Sequence, residues 1–191
     1  MRVSREKFAE NRERILDAAA QLFRQKGYDG VGVADIMKAV GLTHGGFYGH
    51  FASKDDLIAQ ATCRASAGVL PSMQALARGL PDTALDAIAD TYLSASHRDH
   101  PEAGCAFAAL GSDMARQNDA GRAGVTAALR RQLDLLAPLM PGASAEERDR
   151  AAMAAFATLV GALMLARVSD DAKLSDELLE AGRAALARSK A

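Results

Sequence analysis

The sequence predicts an all-α protein. Apolar residues recur at the i, i+3, i+4, i+7 spacing of an amphipathic helix along nearly the whole chain. The composition is 49% hydrophobic but only 5% aromatic, with no Trp and abundant Ala and Leu. That composition suits helices that pack closely. No stretch alternates apolar and polar residues as a half-buried strand would. The 191 residues can bury a sizeable core as one compact unit, or as a small domain joined to a larger one. The spacing predicts about nine helices, divided between a small N-terminal unit at 1–60 and a larger body at 61–191.

The first helix is expected over Arg5 to Lys26. Phe8, Ile15, Leu16, Ala19, Leu22 and Phe23 form its core stripe, and Gly27 stops it. The second is short, with Val33, Ile36, Met37 and Val40 on one apolar face. Gly41 falls where a helix ends and the backbone turns into the positive-φ region. Leu42 follows as a buried plug, and Thr43 is placed to cap a third short helix. In that helix Phe47 and Phe51 lie four apart and can face one core. Ser53 is expected to cap a fourth helix, with Asp56 at the reciprocal position of a capping box and Asp55 at the positive end of the dipole. It should run to about Val69, where Pro71 breaks or kinks it. The body then starts near Leu70. Pro81-Asp82 opens a helix at about 83–97, and a turn at 97–101 leads to helices at 103–117 and 119–139. Ser144 caps a long helix through Val168, and Ser175 caps the last.

The second and third helices carry the clearest functional signal. Joined by a tight glycine turn, they form a helix-turn-helix, and the side chains left outward are Thr43, His44, Tyr48 and His50, with Lys54 just beyond. All can donate hydrogen bonds and none is acidic. Gly45, Gly46 and Gly49 each cost about 1 kcal/mol relative to Ala in a helix interior. Such glycines build a poor helix but let a backbone approach another surface closely. The pattern is that of a DNA-reading element.

Charge agrees with this division. Residues 1–54 hold nine Lys/Arg against six acids, a net +3, while the remainder carries −4. A basic head on an acidic body is the footprint of a small phosphate-contacting domain. Cys63 and Cys105 lie far apart, without metal-ligand or disulfide spacing, so no metal or cofactor is expected. The start of the chain has no apolar run. Residues 151–166 form a 16-residue uncharged stretch, short of the roughly 20 residues of a membrane span, and are expected to be a buried helix. A cytoplasmic protein without membrane partners follows. No hydrolase, P-loop or dinucleotide fingerprint occurs, so an enzyme is not expected.

The stretch ILDAAAQLFRQKGYDGVGVADIMKAVGLTHGGFYGHFASKDDLIAQA at 15–61 resembles the TetR family of one-component bacterial transcriptional regulators. The match is continuous from the Phe-x-x-x-Gly-Tyr step through the helix-turn-helix to the Ser-Lys-acid-x-Leu start of the fourth helix. One departure is Gly32, where the family usually has a Ser or Thr that caps the second helix and often touches a phosphate.

The resemblance implies a homodimer that binds a near-palindromic double-stranded DNA operator as a repressor. Thr43, His44 and Gly45 would face base edges, and Tyr48, His50 and Lys54 would contact phosphates. It implies a body cavity for a small effector that releases DNA, with Leu85, Ile88, Tyr92, Cys105, Phe107, Leu110, Met114, Leu129 and Leu133 as candidate lining. Those apolar walls suggest a lipophilic or aromatic effector. It also implies a four-helix bundle between subunits, for which Met153, Phe156, Ala157, Val160, Gly161, Met164, Leu178, Leu179, Gly182 and Leu186 are the candidates. Two alternatives stay open. Cys105, at a helix N-terminus, could sense electrophiles. Or the chain could be a helical ligand-binding module or enzyme that no longer binds DNA.

Overall fold

The computed structural model describes residues 4–80 and 83–188. Among them the secondary structure is helical throughout, in eleven α-helical segments and a few 3₁₀ turns. Helix α1 (Arg5–Lys26) begins at Ser4, whose hydroxyl accepts from the Lys7 amide at 3.1 Å, and stops at Gly27 with φ of 73°. Helix α2 (Val33–Ala39) is followed by a 3₁₀ turn (His44–Gly46) and one α-turn, α3 (Phe47–His50). Helix α4 (Lys54–Ser66) is capped by Ser53, and the Asp56 carboxylate reaches back to the Ala52 amide at 3.1 Å.

These helices build the head around Ile15, Phe23, Ile36, Phe47 and Leu57, all buried. Phe8 departs from the expected core stripe. It lies on the rim of α1 and is 42% exposed.

The body contains α5 (Leu70–Gly79), α6 (Ala84–Tyr92), α7 (Ala95–Asp99), α8 (Ala106–Ala115), α9 (Asp119–Leu136), α10 (Ala145–Val168) and α11 (Ala172–Arg188). Its boundaries differ from expectation for local reasons. Helix α4 ends at Ser66, and Pro71 opens α5 from its first turn instead of breaking a longer helix. The segment expected as one helix at 83–97 is two, because Ser94 turns extended and caps α7 through the His97 amide at 3.1 Å. Its expected Pro81-Asp82 start lies outside the described residues. Ser144 and Glu147 form the capping box of α10. Ser175 does not cap α11. Its hydroxyl is buried and donates to the Ala166 carbonyl at 2.7 Å, while the Asp171 carboxylate accepts from the Lys173 and Leu174 amides.

Helix α8 links head and body. Ala106, Leu110 and Met114 close the head core from below, whereas Cys105 and Ala108 belong to the body core. The body core continues through Leu85, Ile88, Leu93, Leu136, Leu159 and Leu163.

Candidate nucleic-acid interface

Gly41 takes φ of 69°, and the amides of Gly41 and Leu42 fold back onto the Lys38 and Met37 carbonyls. This ends α2 and swings the chain into the next turn. Leu42 packs half-buried against the head core. Thr43 is extended and makes no side-chain cap, so its hydroxyl stays free for another surface. Phe47 and Phe51 stack with ring centroids 5.6 Å apart and anchor α3 from inside. Thr43, His44, Gly45 and Tyr48 are thereby brought to one exposed surface, with Tyr48 66% exposed.

The glycines here answer to nothing inside the chain. A Cβ on Gly45 would find no heavy atom within 4 Å, and one on Gly49 would meet only Phe8 at 3.8 Å. Gly32 begins α2 without a side-chain cap. The Asp35 carboxylate takes its amide at 2.9 Å, so the capping box is half made.

Lys54 and His50 are half-buried. The Lys54 ammonium donates to the Tyr28 carbonyl at 2.8 Å, which holds it at the edge of the surface with two donors to spare. The His50 ring stacks on Phe8, its Nδ1 is buried without a partner, and burial followed by the nearby Arg12 charge holds its pKa below the ordinary histidine value.

A cavity of about 230 Å³ lies between α5, α6 and α7. Val69, Met73, Leu76 and Ile88 form its apolar wall, and Thr91, Ser94, Ser96, His97 and His100 its polar one. Of the expected lining, only Ile88 and Tyr92 face it. Leu85, Cys105, Phe107, Leu129 and Leu133 pack in the surrounding body core, and Phe107 meets Phe156 edge-on at 5.6 Å. Leu110 and Met114 belong to the head core instead, because α8 turns that face toward α1 and α4. Val69, just before α5, and Met73 and Leu76 within it were missed, although their i, i+4, i+7 spacing is visible in the sequence.

The end of the cavity at 97–105 is tightly held. Imidazole Nδ1 of His97 lies 2.7 Å from the Tyr92 carbonyl and Nε2 accepts from the Cys105 amide at 2.8 Å, so the ring is neutral with its proton on Nδ1. Burial, then the Arg167 charge, lowers the His97 pKa against the opposing hydrogen bond to Tyr92. Arg167 donates to the carbonyls of His97 and Arg98, and Arg24 of α1 donates through two nitrogens to the Glu102 carbonyl. Cys105 is 1% exposed, and burial pushes its thiol pKa up. The Tyr92 hydroxyl beside it makes no well-formed hydrogen bond. Cys63 is exposed.

Helix α10 buries one face and exposes the other. Ala152, Ala155, Phe156, Leu159 and Leu163 turn inward, while Met153, Ala157, Met164, Leu165 and Val168 are exposed. By length and composition it could cross a membrane, its most apolar 18-residue window having a mean hydropathy of 1.9, yet it packs against α11, α9, α8, α7 and α6. Val160, Gly161 and Leu178 are half-buried beside the exposed face. Four expected interface residues belong elsewhere: Phe156, Leu179, Gly182 and Leu186 are buried in the chain's own core. A Cβ on Gly182 would lie 2.8 Å from the Ala162 Cβ and 2.9 Å from Leu93, so that glycine joins α11 to its neighbours. Leu165, Val168 and Leu174 are exposed apolar residues outside the expected set.

A glycine-floored helix-turn-helix with an acid-free donor face, set on a helical body, defines a DNA-binding regulator. Residues 15–61 match the family described as bacterial regulatory proteins, tetR family, and residues 81–181 match the tetracyclin repressor-like C-terminal domain. The chain belongs to the TetR family of bacterial transcriptional regulators. It is 39% identical over 59 residues to the HTH-type transcriptional regulator AcrR of Shigella flexneri, an alignment spanning 31% of this chain and 27% of AcrR. An uncharacterized HTH-type transcriptional regulator of Mycobacterium tuberculosis is 29% identical over 168 residues, covering 84% of this chain and 86% of that one. A TetR transcriptional regulator from Chloroflexus aurantiacus superposes with a TM-score of 0.78 at 30% identity, covering 96% and 95% of the two chains. A TetR-family regulator from Agrobacterium tumefaciens gives 0.78 at 23% identity, covering 96% and 100%.

Proposed function

We propose that this regulator is a cytoplasmic homodimeric repressor whose heads (residues 1–60) bind a near-palindromic operator and whose bodies (61–191) release it when a small lipophilic or aromatic effector occupies the cavity. The observation that carries the reading is the outer surface of 43–50, donor-bearing, free of acids, and floored by glycines with no internal reason to be glycine. Thr43, His44 and Gly45 face base edges; Tyr48, His50 and Lys54 take phosphates. The apolar faces of α10 and α11 left uncovered in one chain support the dimer, and the mainly apolar cavity, whose lining holds no Asp, Glu, Lys or Arg, supports an uncharged effector.

Phosphates carry no base identity. Tyr48→Phe and Lys54→Ala are therefore expected to weaken binding to every duplex, and Lys54→Ala to lower the salt slope by about one counterion. Titration of a genomic-fragment pool and of random-sequence DNA at several salt concentrations checks this. Wild-type-like binding by both variants would remove α3 from the interface.

A further inference from the structure

Phe8 is an anomaly in α1. The later apolar positions of that helix line the head core, but Phe8 is 42% exposed and sits against the DNA face. Its ring lies over the His50 imidazole with centroids 4.0 Å apart and planes 24° apart. A Cβ on Gly49 would make only ordinary contact with the Phe8 ring, at 3.8 Å, so the stack does not depend on that glycine.

The imidazole needs such support. Helix α3 is a single α-turn and carries a glycine, so its backbone alone holds a terminal side chain loosely. Beneath the stack, Nδ1 of His50 is buried with no partner, which leaves Nε2 as the accessible nitrogen. A buried N–H without an acceptor is rarer than a buried bare acceptor, which favours the tautomer with the ring proton on Nε2. Burial, and then the charge of the Arg12 guanidinium on α1, which lies over Phe51 at 5.0 Å, disfavour a second proton on the imidazole.

We propose that Phe8 is a positioning residue for DNA binding: its ring clamps the His50 imidazole so that a neutral Nε2–H points at a backbone phosphate. The proposal rests on the reading of residues 43–54 as the DNA face. An alternative role for Phe8, direct apolar contact with the DNA, predicts different coupling.

The test combines two readouts. In ¹⁵N-labelled protein without DNA, His50 should show the Nε2-protonated form, retained in Phe8→Tyr and replaced by a tautomer mixture in Phe8→Ala and Phe8→Leu. Phe8→Leu keeps apolar cover over the helix and guards against a folding artefact. Against a random-sequence duplex at low salt, Phe8→Ala should weaken binding about three- to tenfold, the range expected from one aromatic stack. Phe8→Ala should cost nothing further in a His50→Ala background, because its effect passes through that imidazole. A full, additive loss in that background would overturn the proposal in favour of direct contact, as would an Nδ1-protonated His50. Failure of the wild type to bind any duplex would overturn the DNA reading itself, a different result from a bound wild type whose affinity ignores Phe8.

Discussion

At the scale of single residues, the consequences of burial are sharpest at His97. Both ring nitrogens are engaged, so the folded protein keeps the imidazole neutral. The unfolded chain takes up that proton near the ordinary value of 6.5. Below that pH the unfolded state binds more protons than the folded one, and stability falls as pH falls; above it His97 contributes no slope. Urea unfolding between about pH 7.5 and about pH 5.5 should show this loss, at most about 1.4 kcal/mol per pH unit from one group, and His97→Asn should remove that share of the slope. An unchanged slope in the variant would mean that the ring is free to protonate in the folded state. None of this was legible in the sequence, where His97 reads as one end of a surface turn before Pro101. The ring is fixed by the backbone of Tyr92 and Cys105, partners set by how the turn folds. Which side chains of 43–50 face outward was legible because a short helix-turn-helix is local: Gly41, Phe47 and Phe51 fix it.

At the scale of elements, the helix at 145–168 shows how pattern and packing part company. Its apolar character around most of its circumference predicts burial on several sides, and a single chain provides only one. Sequence spacing could not assign Phe156 and Gly182 to the chain's own core and Met153 and Leu165 to the outside, because the crossing of α10 with α11 decides it. The distinction makes a clean test of assembly. A Cβ at Gly161 meets no heavy atom within 4 Å, so one chain accommodates Gly161→Leu, whose helix propensity is better by roughly 1 kcal/mol. Against a second chain the same leucine overpacks the interface at about 1–3 kcal/mol. Sedimentation should find the wild type dimeric at micromolar concentration and Gly161→Leu shifted toward a folded monomer. A monomeric wild type would sink the dimer and its two-fold operator geometry. Helix α5 was the element least legible, since Pro71 reads as a breaker when it follows a long helix and as a first-turn residue when it starts one.

At the scale of the whole molecule, the head and the cavity share a wall. Segment 97–104 borders the cavity, Arg167 holds its carbonyls from α10, and Arg24 reaches from the end of α1 to the Glu102 carbonyl. Helix α8 begins at that segment and closes the head core with Leu110 and Met114. An occupant that shifts this wall therefore acts on α1 and α8 together, and a tenfold loss of DNA affinity requires only about 1.4 kcal/mol of difference between the two arrangements. Ser72 lies at the cavity and is exposed, so Ser72→Cys in a Cys63→Ser background can carry a bulky apolar maleimide as a tethered occupant while Cys105 stays buried. Labelling should weaken DNA binding on the order of tenfold. Arg24→Ala should leave the unlabelled affinity near wild type and shrink the effect of the label, because the polar tie between wall and head is gone. An undiminished label effect in Arg24→Ala would place the transmission in the packing of α8 alone. A label with no effect in either background would separate the cavity from the DNA face altogether.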